Sequence, residues 1–95
     1  MADEEVVRSS GNVYADLGFE DPESMLVRAR LAMEISDLIK AEGWSQREAA
    51  ARMQTTQPKI NDAVRGRIGS MSIDRLVDML AAAGQQVEIR VHRAA

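Results

Sequence analysis

The sequence predicts an all-α fold, a compact bundle of four to five helices followed by a short C-terminal β-strand. Helix-start residues recur along the chain, and they are Asp21, Ser45, Thr56 and Ser72. Glycines that favour helix ends follow the same segments at Gly43, Gly66 and Gly84. Apolar residues make up 45% of the 95 residues but aromatic residues only 3%, so the core must be aliphatic, as suits closely packed helices.

Residues 1–20 are predicted to be an acidic N-terminal tail that leads into an apolar arm. Residues 1–24 carry a net charge of −6, which leaves +3 for the rest of a chain whose total is −3. The large apolar residues of the arm are Val13, Tyr14, Leu17 and Phe19. Packing on the chain's own core is favoured over docking on a partner protein, because large apolar side chains mostly end up buried.

A long first helix is predicted from Asp21, as its cap, and Pro22, in its first turn, over about 20 residues. Its core stripe is Val27, Leu31, Ile35, Leu38 and Ile39. The apolar arc is widened by Leu26, Ala29 and Met33. That width suggests a second surface, for a dimer partner or for the N-terminal arm. The solvated face is assigned to Arg28, Arg30, Glu34, Asp37 and Lys40.

Residues 45–67 predict two short helices joined by a tight turn. Ser45 and Glu48 have the spacing of a capping box, and Thr56 is placed to cap the second helix. Pro58 is tolerated in the first turn of that helix, where amides lack intrahelical partners. The residues predicted to face the core are Ala49, Ala50, Met53, Ile60, Ala63 and Val64.

This stretch resembles the helix-turn-helix of the Cro/cI-type repressors, the XRE family, and so implies a lambda-repressor-like bundle. The matching residues are Trp44, Ser45, Gln46, Ala49, Ala50, Thr56, Gln57, Ile60, Arg65 and Gly66. Gln54 replaces the turn glycine of the family, which requires Gln54 to adopt a left-handed conformation. Pro58 stands where the family often has a small polar residue. Trp44 replaces a leucine and is predicted to pack on the helix rather than to stack on bases.

The resemblance implies that the second helix enters the major groove with its N-terminus first. Candidate base-reading residues are Gln57, Pro58, Lys59, Asn61 and Asp62. Candidate phosphate-binding residues are Ser45, Gln46, Thr56, Arg65 and Arg67. Gln57 is the best base reader, because its amide can pair with adenine through two hydrogen bonds. For Asn61 and Asp62 simple solvation is an equal alternative, since a carboxylate near phosphates costs affinity.

The layout of residues 9–92 is similar to the small HigA-type antitoxins of the XRE family, which are paired with a RelE/HigB-like ribonuclease toxin. This similarity implies an antitoxin and autorepressor that binds double-stranded DNA, at a palindromic operator, as a homodimer. One alternative is a stand-alone XRE-type regulator of prophage or host genes without a toxin. Another is a protein-interaction module without DNA binding, which the acidic total charge keeps open.

The terminal region, residues 85–95, is predicted to be a strand and tail that follow the DNA-binding domain of residues 21–84. Residues 86–92 alternate strictly between polar and apolar, which is typical of a half-buried strand. A strand needs a partner, which could be the region around Val13, the same strand of a second subunit, or another protein. The dimer surface is left open between this strand and the first helix.

Catalysis, metal binding and membrane insertion are not expected. The chain contains no cysteine and a single histidine, His92, so a metal site is not expected. Neither paired carboxylates nor a phosphate-binding glycine loop is present, and we predict no enzyme and no cofactor. Apolar runs fall short of the ~20 residues that a membrane span requires, and the acidic N-terminus does not resemble a signal peptide. A cytoplasmic location without a membrane partner is therefore expected.

Overall fold

The computed structural model describes residues 17–18 and 21–93, and within them four α-helices enclose an aliphatic core. The helices are α1 (Pro22–Glu42), α2 (Gln46–Arg52), α3 (Gln57–Val64) and α4 (Ile73–Ala82). Helix α1 packs against both α3 and α4, and α2 packs against α3. The predicted all-α helical bundle is therefore confirmed for this part of the chain.

The long helix α1 spans the core and contacts the other helices through a broad apolar face. The core residues that it contributes are Met25, Leu31, Ala32, Ile35 and Ile39. Val27 and Leu38 of the predicted stripe are only half-buried and pack at the edge of the core. Met25 and Ala32 lie beside that stripe, and their burial follows from α1 packing on two neighbours rather than one.

Three of the four predicted caps form as side-chain hydrogen bonds. The hydroxyl oxygens of Ser45, Thr56 and Ser72 accept the backbone N–H of Glu48 at 3.0 Å, of Lys59 at 3.3 Å and of Arg75 at 3.0 Å. Each bond satisfies one of the amides that a helix start leaves without a partner. Met71 and Leu76, on either side of the Ser72 cap, are both buried and occupy the two positions of a hydrophobic staple.

The cap predicted at Asp21 is wrong in its chemistry, and so is the assignment of Arg28 to the solvated face. The Asp21 side chain makes no cap hydrogen bond. Its Oδ2 instead accepts a bond from a guanidinium nitrogen of Arg28 at 3.2 Å. A second guanidinium nitrogen donates to the carbonyl of Gly69 at 3.5 Å. The half-buried Arg28 thus ties the start of α1 to the loop before α4, and a charged pair replaces the cap.

The predicted C-terminal strand is not found in the described residues. Residues 85–93 carry no strand, although Val87 is half-buried against the core. A strand satisfies its backbone amides and carbonyls only by pairing, and within the described part of the chain this segment has no pairing partner. The alternating pattern remains as a line of apolar side chains that are increasingly exposed from Val87 to Val91.

The N-terminal arm lies almost wholly outside the described residues. Val13, Tyr14 and Phe19 fall there, so their packing on the core stays a prediction. Leu17 is described and is exposed, which does not support burial of this one arm residue. In the described part of the chain, no helix combines the length and apolar character needed to cross a membrane.

Candidate nucleic-acid interface

Helices α2 and α3 are anchored to the core by small and aliphatic side chains. Ala49, Ala50 and Met53 are buried, as predicted, and the alanines allow neighbouring helices to approach closely. In α3, Ile60 is fully inaccessible and Ala63 is nearly so. The two helices therefore have a fixed inner side, and the position of α3 depends mainly on Ile60.

Val64 was predicted to be buried, and this prediction is wrong. Its side chain is 37% exposed and lines an open groove with Met33 of α1. Val64 is the last residue of the short helix α3, one position beyond the buried Ala63. Helical spacing from Ile60 indicates the correct side of the helix but not how far the core extends along it.

The turn between α2 and α3 is closed by backbone hydrogen bonds around Gln54. The N–H of Gln54 donates to the carbonyl of Ala51 at 3.3 Å, and the N–H of Thr55 donates to the carbonyl of Ala50 at 2.9 Å. Gln54 has φ of +56°, the left-handed conformation predicted for the residue that replaces the glycine. The pattern is a Schellman motif with a non-glycine residue at its left-handed position.

The end of α3 is closed in the same way by Gly66, at φ of +78°. The Gly66 N–H donates to the carbonyl of Ala63 at 3.2 Å, and the Arg67 N–H donates to the carbonyl of Asp62 at 2.8 Å. These bonds satisfy carbonyls that the helix end leaves free. They also place Arg67 beside the last turn of α3.

The outer side of α3 carries the predicted base-reading residues. Gln57 and Pro58 are exposed in the first turn, while Lys59, Asn61 and Asp62 are half-buried. Pro58 and Asp62 are one turn apart and point away from the core side occupied by Ile60. The first turn of α3 is therefore the most accessible polar end of the helix.

A hydrogen-bond network joins α2 to α3 through Asn61. The Asn61 Oδ1 atom accepts from Gln46 Nε2 at 3.4 Å and from Arg65 Nε at 3.1 Å. Asn61 is neutral, so Arg65 keeps its full positive charge while its guanidinium is oriented. The spacing of four residues between Asn61 and Arg65 was the available sequence signal for this pair. The contact with Gln46 depends on tertiary packing.

Asp62 and Arg67, predicted separately as a base reader and a phosphate ligand, are paired. Arg67 Nε donates to Asp62 Oδ1 at 3.1 Å. The pair is partly exposed and contributes little to stability. It places a neutralising cation beside the one carboxylate of α3, which reduces the repulsion that Asp62 would exert on a phosphate.

Trp44 packs on the core rather than standing free for bases. The indole is half-buried against the core, as predicted, and the guanidinium carbon of Arg52 lies 5.0 Å from its ring centroid. Arg52 also pairs with Glu48 at 3.2 Å. Both charged side chains of this pair are therefore engaged in contacts on α2 itself or next to it.

The positive charge of the described chain is concentrated on the α2–α3 unit, defined as residues 45–67. This unit carries five basic and two acidic residues, a net +3, whereas residues 25–44 and 68–95 are each neutral overall. The acidic residues are paired as described above. Arg47, Lys59 and Arg65 make no ion pair with any residue that the structure describes. This surface favours a polyanionic partner.

Comparisons with known proteins agree with this geometry. A family model described as a helix-turn-helix domain matches residues 13–92. A solved structure assigned to the XRE family of transcriptional regulators is 33% identical, with a TM-score of 0.70, over 77% of this chain and 82% of that chain. The chain belongs to the XRE helix-turn-helix family. No curated protein matches it.

The family assignment confirms the resemblance found in residues 45–67 and extends it. The matched range includes α1, α4 and residues 85–92, so this XRE-family domain is larger than the helix-turn-helix alone. One candidate was missed from the sequence, namely Arg47. It is exposed in the first turn of α2 next to Gln46, and the charge excess of residues 45–67 was the signal that could have identified it.

Proposed function

We propose that this XRE-family protein is a sequence-specific DNA-binding transcriptional regulator in which α3 enters the major groove. The observation that carries the proposal is the position of α3. Its inner side is fixed by the buried Ile60, and its polar first turn is exposed. The helix also lies in residues 45–67, the one segment of residues 25–95 that carries a net positive charge. A helix of this kind fits the major groove of B-form DNA. The proposed role is binding rather than catalysis.

Base reading is assigned first to the N-terminal turn of α3. Gln57 can pair with adenine through its amide, and Pro58 can contact a thymine methyl group. Lys59 can donate a hydrogen bond to guanine or to a phosphate. Asn61 and Asp62 are secondary readers, because Asn61 orients Arg65 and Asp62 is paired with Arg67.

Phosphate binding is assigned to residues that border this turn. Ser45 and Thr56 each accept a cap hydrogen bond, and a hydroxyl that accepts one bond can still donate its own hydrogen to a phosphate. The further phosphate ligands in the proposal are Gln46, Arg47, Arg65 and Arg67. Such contacts set the register of the protein on DNA without reading sequence.

Operator binding is proposed to require two copies of the chain. One recognition helix covers only a few base pairs, and a two-fold homodimer would present two of them to a palindromic operator with half-sites about 34–36 Å apart. The modest charge of the α2–α3 unit supports this arrangement, because a net +3 gives a single copy few phosphate contacts.

We infer further that the regulator serves as the antitoxin and autorepressor of a toxin–antitoxin pair. Support comes from the similarity of residues 9–92 to HigA-type antitoxins. Co-expression with a RelE/HigB-like protein encoded next to it tests this step. A stable complex that abolishes ribonuclease activity is expected. If no such neighbour is encoded, the stand-alone regulator of prophage or host genes takes its place.

The DNA-binding proposal is tested by titrating the DNA upstream of the protein's own gene, and random DNA, in a fluorescence anisotropy assay. We expect Gln57→Ala to lose about 1–3 kcal/mol of discrimination between the two DNAs. Arg67→Ala should weaken both DNAs about equally and lower the slope of affinity against salt by about one. Arg93→Ala, which removes a charge outside the α2–α3 unit, is the matched control and should change little.

One outcome would contradict the proposal, and a second would contradict the assignment of Gln57. If the wild-type protein shows no preference for its upstream DNA at low salt, a protein-interaction module is favoured instead. If Gln57→Ala weakens specific and random DNA by the same factor, Gln57 binds phosphate and the base-reading residue must be sought elsewhere on α3.

A further inference from the structure

Asn61 of α3 is bonded to two other side chains in the free protein. Its Oδ1 atom accepts one hydrogen bond from Gln46 Nε2 at 3.4 Å and one from Arg65 Nε at 3.1 Å. Asn61 is half-buried, whereas Gln46 and Arg65 are exposed. Asn61 therefore supports two more accessible side chains, both of which the proposed function assigns to phosphate.

The bonding partners fix the orientation of both amide groups. The Nε atom of an arginine can only donate, so the Asn61 atom that faces it is the acceptor, Oδ1. Gln46 meets the same oxygen and must therefore present its own donor, Nε2. Neither amide group can be reversed without losing a bond of this network.

The acceptor capacity of Asn61 is fully used by these two bonds. A side-chain carbonyl oxygen has two lone pairs, and Oδ1 accepts two hydrogen bonds here. An asparagine reads adenine by donating from its amide nitrogen and accepting at its amide oxygen at the same time. Asn61 could do so only by releasing Gln46 or Arg65, so the two bonds oppose a base-reading role.

The remaining donors of Gln46 and Arg65 are available to a ligand. Gln46 keeps the second hydrogen of Nε2, and Arg65 keeps the hydrogens of its two terminal nitrogens. Because Nε2 of Gln46 and Nε of Arg65 both contact one oxygen, these donors are held close together although they belong to different helices. Donors of this kind, one of them charged, suit a phosphate oxygen.

We infer that Asn61 is a positioning residue, which reads no base and holds Gln46 and Arg65 together as one phosphate-binding pair. The inference deepens the proposed function and rests on it, because it assigns a role within the same DNA-binding surface. The physical basis is preorganisation. Long side chains lose rotamer freedom when they bind a ligand, and the bonds to Asn61 remove part of that freedom before DNA is bound.

The neighbouring arginine shows the value of an uncharged partner. Arg67 is also held through its Nε atom, at 3.1 Å, but by the carboxylate of Asp62. That carboxylate orients Arg67 and also offsets its positive charge. The amide of Asn61 orients Arg65 without offsetting its charge, so Arg65 attracts a phosphate at full strength.

The test is a double-mutant cycle on DNA affinity, measured by fluorescence anisotropy with the DNA upstream of the protein's own gene and with random DNA. Asn61→Ala should weaken both DNAs by the same factor, about three- to tenfold, and leave the discrimination between them unchanged. In the Gln46→Ala/Arg65→Ala background, Asn61→Ala should cost less than about twofold, because the two side chains that it holds are absent.

Arg67→Ala supplies the matched control background. Arg67 is bonded to Asp62 rather than to Asn61, so the losses from Asn61→Ala and Arg67→Ala should multiply. A purely structural role, in which Asn61→Ala loosens α3, would cost the same factor in every background. Circular dichroism at the assay temperature checks that each variant is folded.

Asn61→Asp separates orientation from charge. The carboxylate keeps both acceptor positions but offsets the charge of Arg65, as Asp62 does for Arg67. We expect it to weaken both DNAs at least as much as Asn61→Ala and to lower the slope of affinity against salt by about one. In the free protein, exchange of the Arg65 Nε–H with water, followed by NMR, should stay slow in Asn61→Asp and become faster in Asn61→Ala.

Three results would overturn the inference. Asn61→Ala could lower the preference for upstream DNA, its loss could persist in the Gln46→Ala/Arg65→Ala background, or Asn61→Asp could bind DNA like the wild type. In each case the wild type still prefers its upstream DNA, so the proposed function stands. A wild type without that preference would contradict the proposed function. Unchanged Arg65 Nε–H exchange in Asn61→Ala would overturn the positioning role separately, because that measurement contains no DNA.

Discussion

The α2–α3 unit and the terminal segment (residues 85–93) both have a regular amphipathic pattern. Only in the α2–α3 unit is the apolar side buried within the described chain. In α3 the apolar side reaches the core, where Ile60 is fully buried, and the polar side is exposed. In the terminal segment the apolar side runs out into solvent at Ile89 and Val91. The two patterns are equally clear in the sequence, so pattern strength does not explain the difference.

Backbone hydrogen bonding explains why α3 forms within the single chain and the predicted strand does not. A helix satisfies its amides and carbonyls within its own segment, apart from its ends, which Thr56 and Gly66 close for α3. A strand satisfies them only through a second segment. A helical pattern therefore predicts a structure of the chain, whereas an isolated strand pattern predicts a structure of an assembly.

The largest effect should come from removing the anchor of α3. Ile60→Ala leaves a cavity at a fully buried site, and we expect it to lower the free energy of unfolding by about 2–5 kcal/mol. Val64→Ala, on the same helix but partly exposed, is the matched control and should cost less than about 1 kcal/mol. Urea denaturation measures both. Equal losses would show that α3 does not rely on Ile60, and α3 would then lack the core anchor that distinguishes it from the terminal segment.

A smaller effect should separate the two roles of the cap of α3. Thr56→Ala removes the bond to the Lys59 amide and should destabilise the fold by about 1 kcal/mol. Ser72→Ala removes the equivalent bond of α4 and should cost about the same. Only Thr56→Ala should also weaken DNA binding in the anisotropy assay at a temperature where both variants are folded. Equal DNA affinities for the two variants would remove Thr56 from the phosphate-binding set.

Local signals explain most of what could be predicted from the sequence. The serine and threonine caps, the glycine ends and the left-handed Gln54 each depend on a few neighbouring residues, and the structure confirms them. The core of α2 follows from spacing. The first turn of α3 as the exposed polar end also follows, because a buried Ile60 fixes which side faces out.

Contacts between distant segments could not be predicted in this way. Arg28 was assigned to solvent, but it meets Gly69, 41 positions away, and the Asp21 carboxylate that was expected to cap α1. The bond from Gln46 to Asn61 joins two helices whose relative placement is set by packing. The strand prediction was limited in a related way, because an alternating pattern contains no information about which segment the strand pairs with.

The turn before α3 offers a stabilising change. Gln54 holds a left-handed conformation that costs a non-glycine residue roughly 1–2 kcal/mol, and glycine adopts it freely but loses more entropy on folding. We expect Gln54→Gly to raise the free energy of unfolding by about 0.5 kcal/mol. Gln54→Ala is the control, which keeps the strain and should not stabilise. Destabilisation by glycine, measured by urea denaturation, would show that the Gln54 side chain contributes more than its backbone costs.

The smallest effect on the unfolding free energy of the single chain is expected at Val91. Because this side chain is almost fully exposed, Val91→Ser should change the unfolding free energy of a dilute sample by less than about 0.5 kcal/mol. If the terminal segment is completed by a second copy, the urea midpoint of the wild type should rise with protein concentration, since dimerisation binds only the folded state. In Val91→Ser that rise should be reduced. A variant that loses equal stability at every concentration would instead place Val91 in a contact within its own chain, and the terminal segment would then be completed internally, as α3 is.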